Sequence, residues 1–517
     1  MNLIAQTTPT TTGGVNFPTI VFTLMVWSAL AFALATLAMP DQTGEQRSRI
    51  KTLGACGTGT ALFFSLWAVQ TQAADAAAQS GGGVPGGELV EQHNWLTSFP
   101  FTSGYHLDAD GLALALALLG GVVFFCAALA CWRNDRRVKL LTICLLVSET
   151  GFMGVLTAYD WVLFLLFWTL PVAPLYLLVR AFGHSQQARA ATRYAAVTLV
   201  SGGLITLAAT LIGVQSGGRS FDMGTVPVAL PGLDNVLAFW VLAAAFLLAM
   251  AVVPLHGALL DLEEDSTGAL AAIFGALLPS LGAYGLLHIA VGFFPAVAAQ
   301  YTLLFAALAV VTVVWSGLGA LRADDLRRQV GHAGNALMGL VLLGVAGHTT
   351  VSLTGAMYLL IARGLAVAVL MLLASGIQER TRRVRISQLG GLAWQAPHLA
   401  AFWGVGVLTA AGAPLLAGFF GYFSLFAGAF PAHRWATVVV LAATLLVTGV
   451  LLRTGQRIFM GGQREGFARV RDLGALELTY IGILAVVSLF MGVDPGHFSA
   501  LFMNGAGNIL FPGSSTT

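Results

Sequence analysis

AMAVVPLHGALLDLEEDSTG (Ala249–Gly268) begins as an apolar helix, breaks at Pro254-Leu255-His256-Gly257, and then meets four acids in five residues. Proline removes a backbone donor and clashes with the turn before it, so the helix stops there. Inside lipid the freed backbone groups need protein or water partners. A second apolar stretch, FWGVGVLTAAGAPLLAGFFGYF (Phe402–Phe423), places Gly412 and Pro414 in its middle. Either proline alone is compatible with a packing kink. Two interruptions at matching places favour a transport architecture built from repeated halves.

The rest of the chain is of one kind. Of 517 residues, 57% are hydrophobic and only 9% charged, and the mean hydropathy is +0.82. A soluble domain carries about 25% charged residues. Apolar runs long enough to cross a bilayer recur along the sequence, so this is an all-α polytopic membrane protein. The alternating pattern of an outer-membrane barrel is absent. Fourteen spans are predicted, near 17–39, 53–73, 110–132, 138–158, 161–180, 193–214, 235–256, 268–290, 298–320, 331–347, 350–376, 396–428, 435–458 and 475–494.

Basic residues follow the odd spans. Arg47, Arg49 and Lys51 come after the first, and Arg133, Arg136, Arg137 and Lys139 after the third. Arg180, Arg189 and Arg193 surround the fifth-to-sixth connection; Arg322, Arg327 and Arg328 follow the ninth. Arg380, Arg382, Arg383 and Arg385 follow the eleventh, and Arg457, Arg464, Arg469 and Arg471 the thirteenth. Cytoplasmic loops collect such charge, so both termini are expected outside the cytoplasm of an inner or plasma membrane. Met1–Asn16 lacks a basic n-region, so the first run is expected to stay as a helix. The loop from Gln72 to Asp108, with SGGGVPGGE (Ser80–Glu88), is expected to be flexible at its glycines and to hold no separate soluble domain. Cys56, Cys126, Cys131 and Cys144 lie in or beside apolar segments and read as core residues, with no metal site.

The two breaks are five spans apart. That odd offset implies inverted five-helix repeats with broken seventh and twelfth helices. The partition is 1–109 for two helices and the long loop, 110–137 for the third helix, 138–292 and 293–460 for the repeats, and 461–517 for the last helix and tail.

Several segments resemble one family: DADGLALALALL (Asp108–Leu119), LLVSETGFMGVLTAYDWVLFLLFWTLPVAPLYLLV (145–179), MAVVPLHGALLD (250–261), LGAYGLLH (281–288), RADDLRRQVGHAGNALMGLVLLGV (322–345) and TAAGAPLLAGFFGYF (409–423). The family is the antiporter-like membrane subunit of respiratory complex I, of the subunit M or chain 4 type, with the matching membrane component of cation/proton antiporters as a cousin. The resemblance implies a proton path along the middle of the membrane arm. Neighbouring membrane-arm subunits and lipids would be the partners, and nucleic acid is not expected. Flavin, iron–sulfur clusters and quinone would sit on partner subunits, with no cofactor or metal in this chain.

The family's working residues carry over unevenly. Its fifth-helix acid finds a counterpart in Glu149, and the usual lysine of ATKFF in Arg193. The lysine before the seventh-helix break is Ala249, and the lysine before LGGYGLLR is Ser280. The glutamate of GEF is Tyr422, that of FWE is Thr169, the histidine of IAHGL is Arg363, and the histidine of WLPDAH is Glu263. Only Lys51 and Lys139 are lysines, both at expected loop positions. A buried lysine gives up its proton readily, whereas alanine and serine cannot and arginine stays charged.

Proton-path candidates are then Glu149, Arg193, His256, His288, His332, His348 and Arg363, with Pro254, Gly257, Gly412 and Pro414 marking the breaks. An ionisable group deep in an apolar helix is a functional hypothesis by default; a structural acid paired with Arg193 is the alternative for Glu149. His256 reads more readily as a cap on exposed backbone than as a relay. His288, His332 and His348 read either as polar stations with Asn335 or as separate hydrogen-bonded helix-end histidines. Arg363 requires a partner or a hydrated cavity. Glu263, Glu264 and Asp265 read as a hydrated acidic loop, with a partner's surface as the alternative. No dinucleotide, phosphate-loop or catalytic-triad motif occurs. The expected function is a membrane-arm subunit with a degenerate or rewired proton path. The alternatives are a cation/proton antiporter, hydrogenase-linked or inorganic-carbon-uptake complex, and a pure scaffold.

Overall fold

The computed structural model describes residues 20–80, 90–96, 102–183, 187–215, 221–225, 233–462, 467 and 470–510. The Met1–Asn16 stretch, the glycines from Gly81 to Gly87, Arg464 and Arg469 lie outside the described residues. The chain runs α1 (Val21–Ala38), α2 (Gly44–Ser80), β1 (Glu91–Leu96), β2 (Ser103–Leu107), α3 (Gly111–Ala130), α4 (Val138–Thr157), α5 (Trp161–Thr169), α6 (Val172–Phe182), α7 (Gln187–Gln215), α8 (Leu233–Ala249), α9 (Gly257–Asp265), α10 (Gly268–Tyr284), α11 (Pro295–Gln300), α12 (Thr302–Arg322), α13 (Leu326–Gly347), α14 (Thr350–Thr381), α15 (Pro397–Ala411), α16 (Gly418–Ala429), α17 (Arg434–Phe459), α18 (Ala475–Val493) and α19 (Pro495–Leu510).

Among the described residues, twelve helices are long and apolar enough to cross a membrane, with α5 and α6 joined as one. The interrupted pairs α8/α9 and α15/α16 add the seventh and twelfth spans, so the fourteen expected spans are all found. Side-chain caps fix several starts. Asp110 accepts from the Ala113 N–H at 2.8 Å to open α3, and Asp325 accepts from the Arg328 N–H at 3.1 Å to open α13. Thr349 and Ser352 form a reciprocal capping box on α14. The apolar stretches of α13 and α14 are wholly buried, whereas α1, α7 and α17 show their outer faces. In a bilayer those outer faces meet lipid, so apolar exposure there is expected.

Four expectations change. The long loop carries structure, because β1 and β2 pair antiparallel. Ser103 donates to Asp160 at 2.9 Å, and His106 meets Asp222 at 3.0 Å, tying the hairpin to the start of α5 and to the connection between α7 and α8. Secondly, the lysines are on helices rather than loops: α2 starts at Gly44 and α4 at Val138. Lys51 donates to the Trp132 carbonyl at 2.7 Å, and Lys139 to the Met39 carbonyl at 2.8 Å. Each ammonium thus closes the end of a neighbouring span and sits at its rim. Thirdly, Glu263, Glu264 and Asp265 belong to α9, and Glu263 and Asp265 are buried. Lastly, Cys56 is exposed on α2, while Cys126 and Cys144 are buried.

Candidate proton-handling site

At the seventh-span break, α8 ends at Ala249 and the backbone turns through Ala251 in the left-handed region (φ 55°). The Met250 N–H still reaches the Phe246 carbonyl at 2.7 Å, and Leu255 closes a tight turn onto Val252 at 2.6 Å. α10 packs directly on this turn, because a Cβ at Gly282 would collide with the Ala249–Met250 backbone. An apolar cleft of about 60 Å³ touches Ala249, Trp168, Tyr194, Leu278 and Leu281. Ser280 is spent on its own helix, donating to the Ala276 carbonyl at 2.7 Å. Neither Ala249 nor Ser280 brings a charge to this break.

The twelfth span breaks at Gly412, which takes φ +71° and lets the Ala413 N–H fold back to Leu408 at 3.0 Å. Pro414 stands exposed in the connection. Tyr422, one turn into α16, donates its hydroxyl to the freed Ala410 carbonyl at 2.7 Å. A Cβ at Gly412 would strike the same ring. The tyrosine therefore plugs the break and satisfies its backbone. Thr169 is exposed and bonds back to Leu165 at 2.9 Å.

Glu149 lies on α4, the fourth span, and is 0% exposed. That is the span in which the predicted boundaries 138–158 set it, although the resemblance has its acid on the fifth helix; Thr169 closes the first half of that fifth span. Among the described residues neither Glu149 oxygen finds a hydrogen-bond donor. Arg193 is not its partner, since it pairs with Asp261 across α7 and α9. An isolated ionised carboxylate in an apolar interior is very costly, so a group kept there without a partner is unlike a structural ion pair.

The histidines separate. His256 at the break lies 6.1 Å from His332 of α13, ring to ring. His288 sits in a π-helical turn, Gly285–Val291, that continues α10; there it meets Asp110 at 3.0 Å and stacks on Tyr284 at 5.1 Å. His348 adopts a left-handed conformation (φ 46°) and ends α13. Sixteen residues of helix, about 24 Å at 1.5 Å per residue, part it from His332. Asn335 donates to Ser316 at 3.0 Å. These groups do not line up as one chain of stations.

The sequence reading set Glu263 in a hydrated acidic loop and outside the proton-path candidates; the structure buries it opposite Arg363. Glu263 and Arg363 are each 1% exposed. Arg363 donates to the carbonyls of Gly334 (2.8 Å), Gly275 (2.8 Å) and Ala276 (3.3 Å). The Glu263 carboxyl occupies a niche between the same helices, where a Cβ at Gly275 would come within 2.7 Å of Oε1 and one at Gly331 would overlap Oε2. Each charge acts electrostatically on the other, without a direct hydrogen bond between them. Desolvating two ions costs several kcal/mol each, and removing one partner typically costs about 3–5 kcal/mol.

Residues 158–448 match the family described as NADH:quinone oxidoreductase/Mrp antiporter, transmembrane. The chain belongs to this family. It is 30% identical over 402 residues to an NAD(P)H-quinone oxidoreductase chain 4 of Synechococcus sp. (strain JA-3-3Ab), covering 75% of both chains. A chain 4 of Microcystis aeruginosa (strain NIES-843 / IAM M-2473) is 28% identical over 459 residues, covering 86% of this chain and 80% of that one. A chain of respiratory complex I from Thermus thermophilus superposes with a TM-score of 0.81 at 26% identity, covering 94% of this chain and 99% of that one. A chain of the Mrp complex from Dietzia sp. DQ12-45-1b gives a TM-score of 0.83 at 19% identity, with 96% and 98% covered, and so shares the fold.

Within the antiporter family, the signal for the missed site was present in the motifs. Both positions at which the resemblance sets a histidine, Glu263 and Arg363, carry a charge here, and the two charges are opposite. Only the packing of α9 and α14 against α10 and α13 shows that they answer each other.

Proposed function

We propose that this chain is a membrane-arm antiporter-like subunit of a complex I-like NAD(P)H:quinone oxidoreductase, with a proton route rewired to run without lysine. The observation that carries the reading is the fold shared over nearly the full length of both chains with a respiratory complex I chain. Its two broken helices are retained, while Ala249, Ser280 and Tyr422 hold the positions of the resemblance's lysines and glutamate. Among the ionisable groups buried to 1% exposure or less in the described spans and breaks are Glu149, Glu263 and Arg363. In this reading residues 138–292 and 293–460 are the inverted repeats, the arginine-rich ends of the odd spans face the cytoplasm, and both termini face away from it. Electron transfer, with its flavin, iron–sulfur clusters and quinone, belongs to partner subunits.

Purification of the tagged full chain from its native membrane in mild detergent tests this. Recovery with other antiporter-like subunits and with electron-transfer subunits is expected. Recovery as a lone monomer contradicts the reading. Recovery with antiporter subunits and no electron-transfer partner would place the chain in a cation/proton antiporter instead.

A further inference from the structure

We propose that Glu263 is the proton-binding group of a switchable charge couple with Arg363, set where α9 of the first half meets α13 and α14 of the second. The inference rests on the membrane-arm reading only for its role in transport; the couple itself is a property of this chain.

Four observations converge. Glu263 is 1% exposed, and its Oε2 finds no hydrogen-bond donor among the described residues. The carboxyl fits only because Gly275 and Gly331 lack side chains. Arg363 is anchored by three carbonyls from α10 and α13, two of which, Gly275 and Gly334, are also glycines. The guanidinium is thus a fixed positive charge held by neutral dipoles, leaving the carboxyl free to change state. Finally, both positions depart together from histidine in the motifs that carry the resemblance. Either charge alone would be an unpaired ion inside the protein; the two together cancel.

The surroundings leave this role to Glu263. On its own helix, Asp261 is paired with Arg193 of α7, and Glu264 with Arg328 of α13 at 2.7 Å; Asp265 lies two residues on. From α13, Arg327 is held by the Ser266 carbonyl and Gln378, and His332 stands beside His256. α10 brings neither carboxylate nor cation. From α14 the opposing charge is Arg363. Binding a proton turns the Glu263 carboxylate into a neutral acid and leaves the Arg363 charge uncompensated. Release restores the pair. No bond other than O–H forms or breaks, and each cycle alters the field felt on both sides of α10 and α13.

Infrared difference spectroscopy between acidic and alkaline buffer, on the full chain in lipid and in its native assembly, reads this directly. A carboxylic C=O stretch that appears on acidification and is lost in Glu263→Gln, but kept in Glu149→Gln, is expected. Glu263→Asp should shift that band. The double variant Glu263→His/Arg363→His should recover folded protein to a greater yield than either single histidine variant. A carboxyl spectrum unchanged in both Glu263→Gln and Glu263→Asp overturns the proposal, as does a double variant no better than the singles. Failure to recover partner subunits would overturn the membrane-arm reading and leave the band test standing.

Discussion

At the scale of single residues, the chain separates charges that stabilise from charges that are held ready. The His106–Asp222 pair, outside the membrane spans, belongs to the first kind. The Asp222 hydrogen bond raises the His106 pKa above 6.5 against the effect of burial. Burial works the other way on Asp222, but the His106 hydrogen bond and the Gly224 N–H outweigh it and hold its pKa below 3.8. A raised histidine stabilises fully below its unfolded value and loses this as pH rises through the folded value. A lowered aspartate stabilises above its unfolded value and loses this as pH falls through the folded one. The pair therefore contributes most between pH 3.8 and 6.5. Asp222→Asn should cost about 2 kcal/mol, as expected for a hydrogen bond between charged groups. Thermal unfolding in detergent at pH 5 and pH 9 checks this: the loss should be larger at pH 5. Much of the residue-level picture was readable in the sequence, since the absence of lysine from the breaks is a matter of composition. The role of Tyr422 was not, because its partner, the Ala410 carbonyl, is a backbone atom exposed only by the break itself.

At the scale of elements, apolar length and Pro/Gly placement marked every span, because those signals are local. What they missed depends on contacts between distant segments. The β1–β2 hairpin is short and polar, and it is held by Asp160 and Asp222 from beyond α4. The acids after the seventh break read as loop because α9 has only nine residues, too few to show a clear period. The twelfth-span break is the element most exposed to mutation. Tyr422→Phe removes one neutral hydrogen bond and should lower stability by about 1 kcal/mol. Gly412→Ala both strains a left-handed backbone and drives a methyl into the Tyr422 ring, and should cost about 1–3 kcal/mol. Melting temperatures of the two variants in the same detergent test the ranking: Gly412→Ala should be the more damaged. Equal or reversed damage would contradict the plug-and-cap account of Tyr422.

At the scale of the whole molecule, the two breaks persist without the charges that the family resemblance sets beside them. The cleft at Ala249 is apolar and the twelfth-span break is capped. Buried ionisable groups lie elsewhere, among them Glu149 on α4, Glu263 on α9 and Arg363 on α14. Architecture was legible because fourteen spans and two interruptions are written in order along the chain. The displaced charges were not, since α9 and α14 lie about a hundred residues apart in sequence. The most direct test is the proton-to-electron ratio of the assembled complex in sealed vesicles, measured with the wild-type chain and with the Glu149→Gln/Glu263→Gln double variant. The lysine-free route predicts a lower ratio for the variant with the assembly intact. An unchanged ratio in an intact assembly would contradict it.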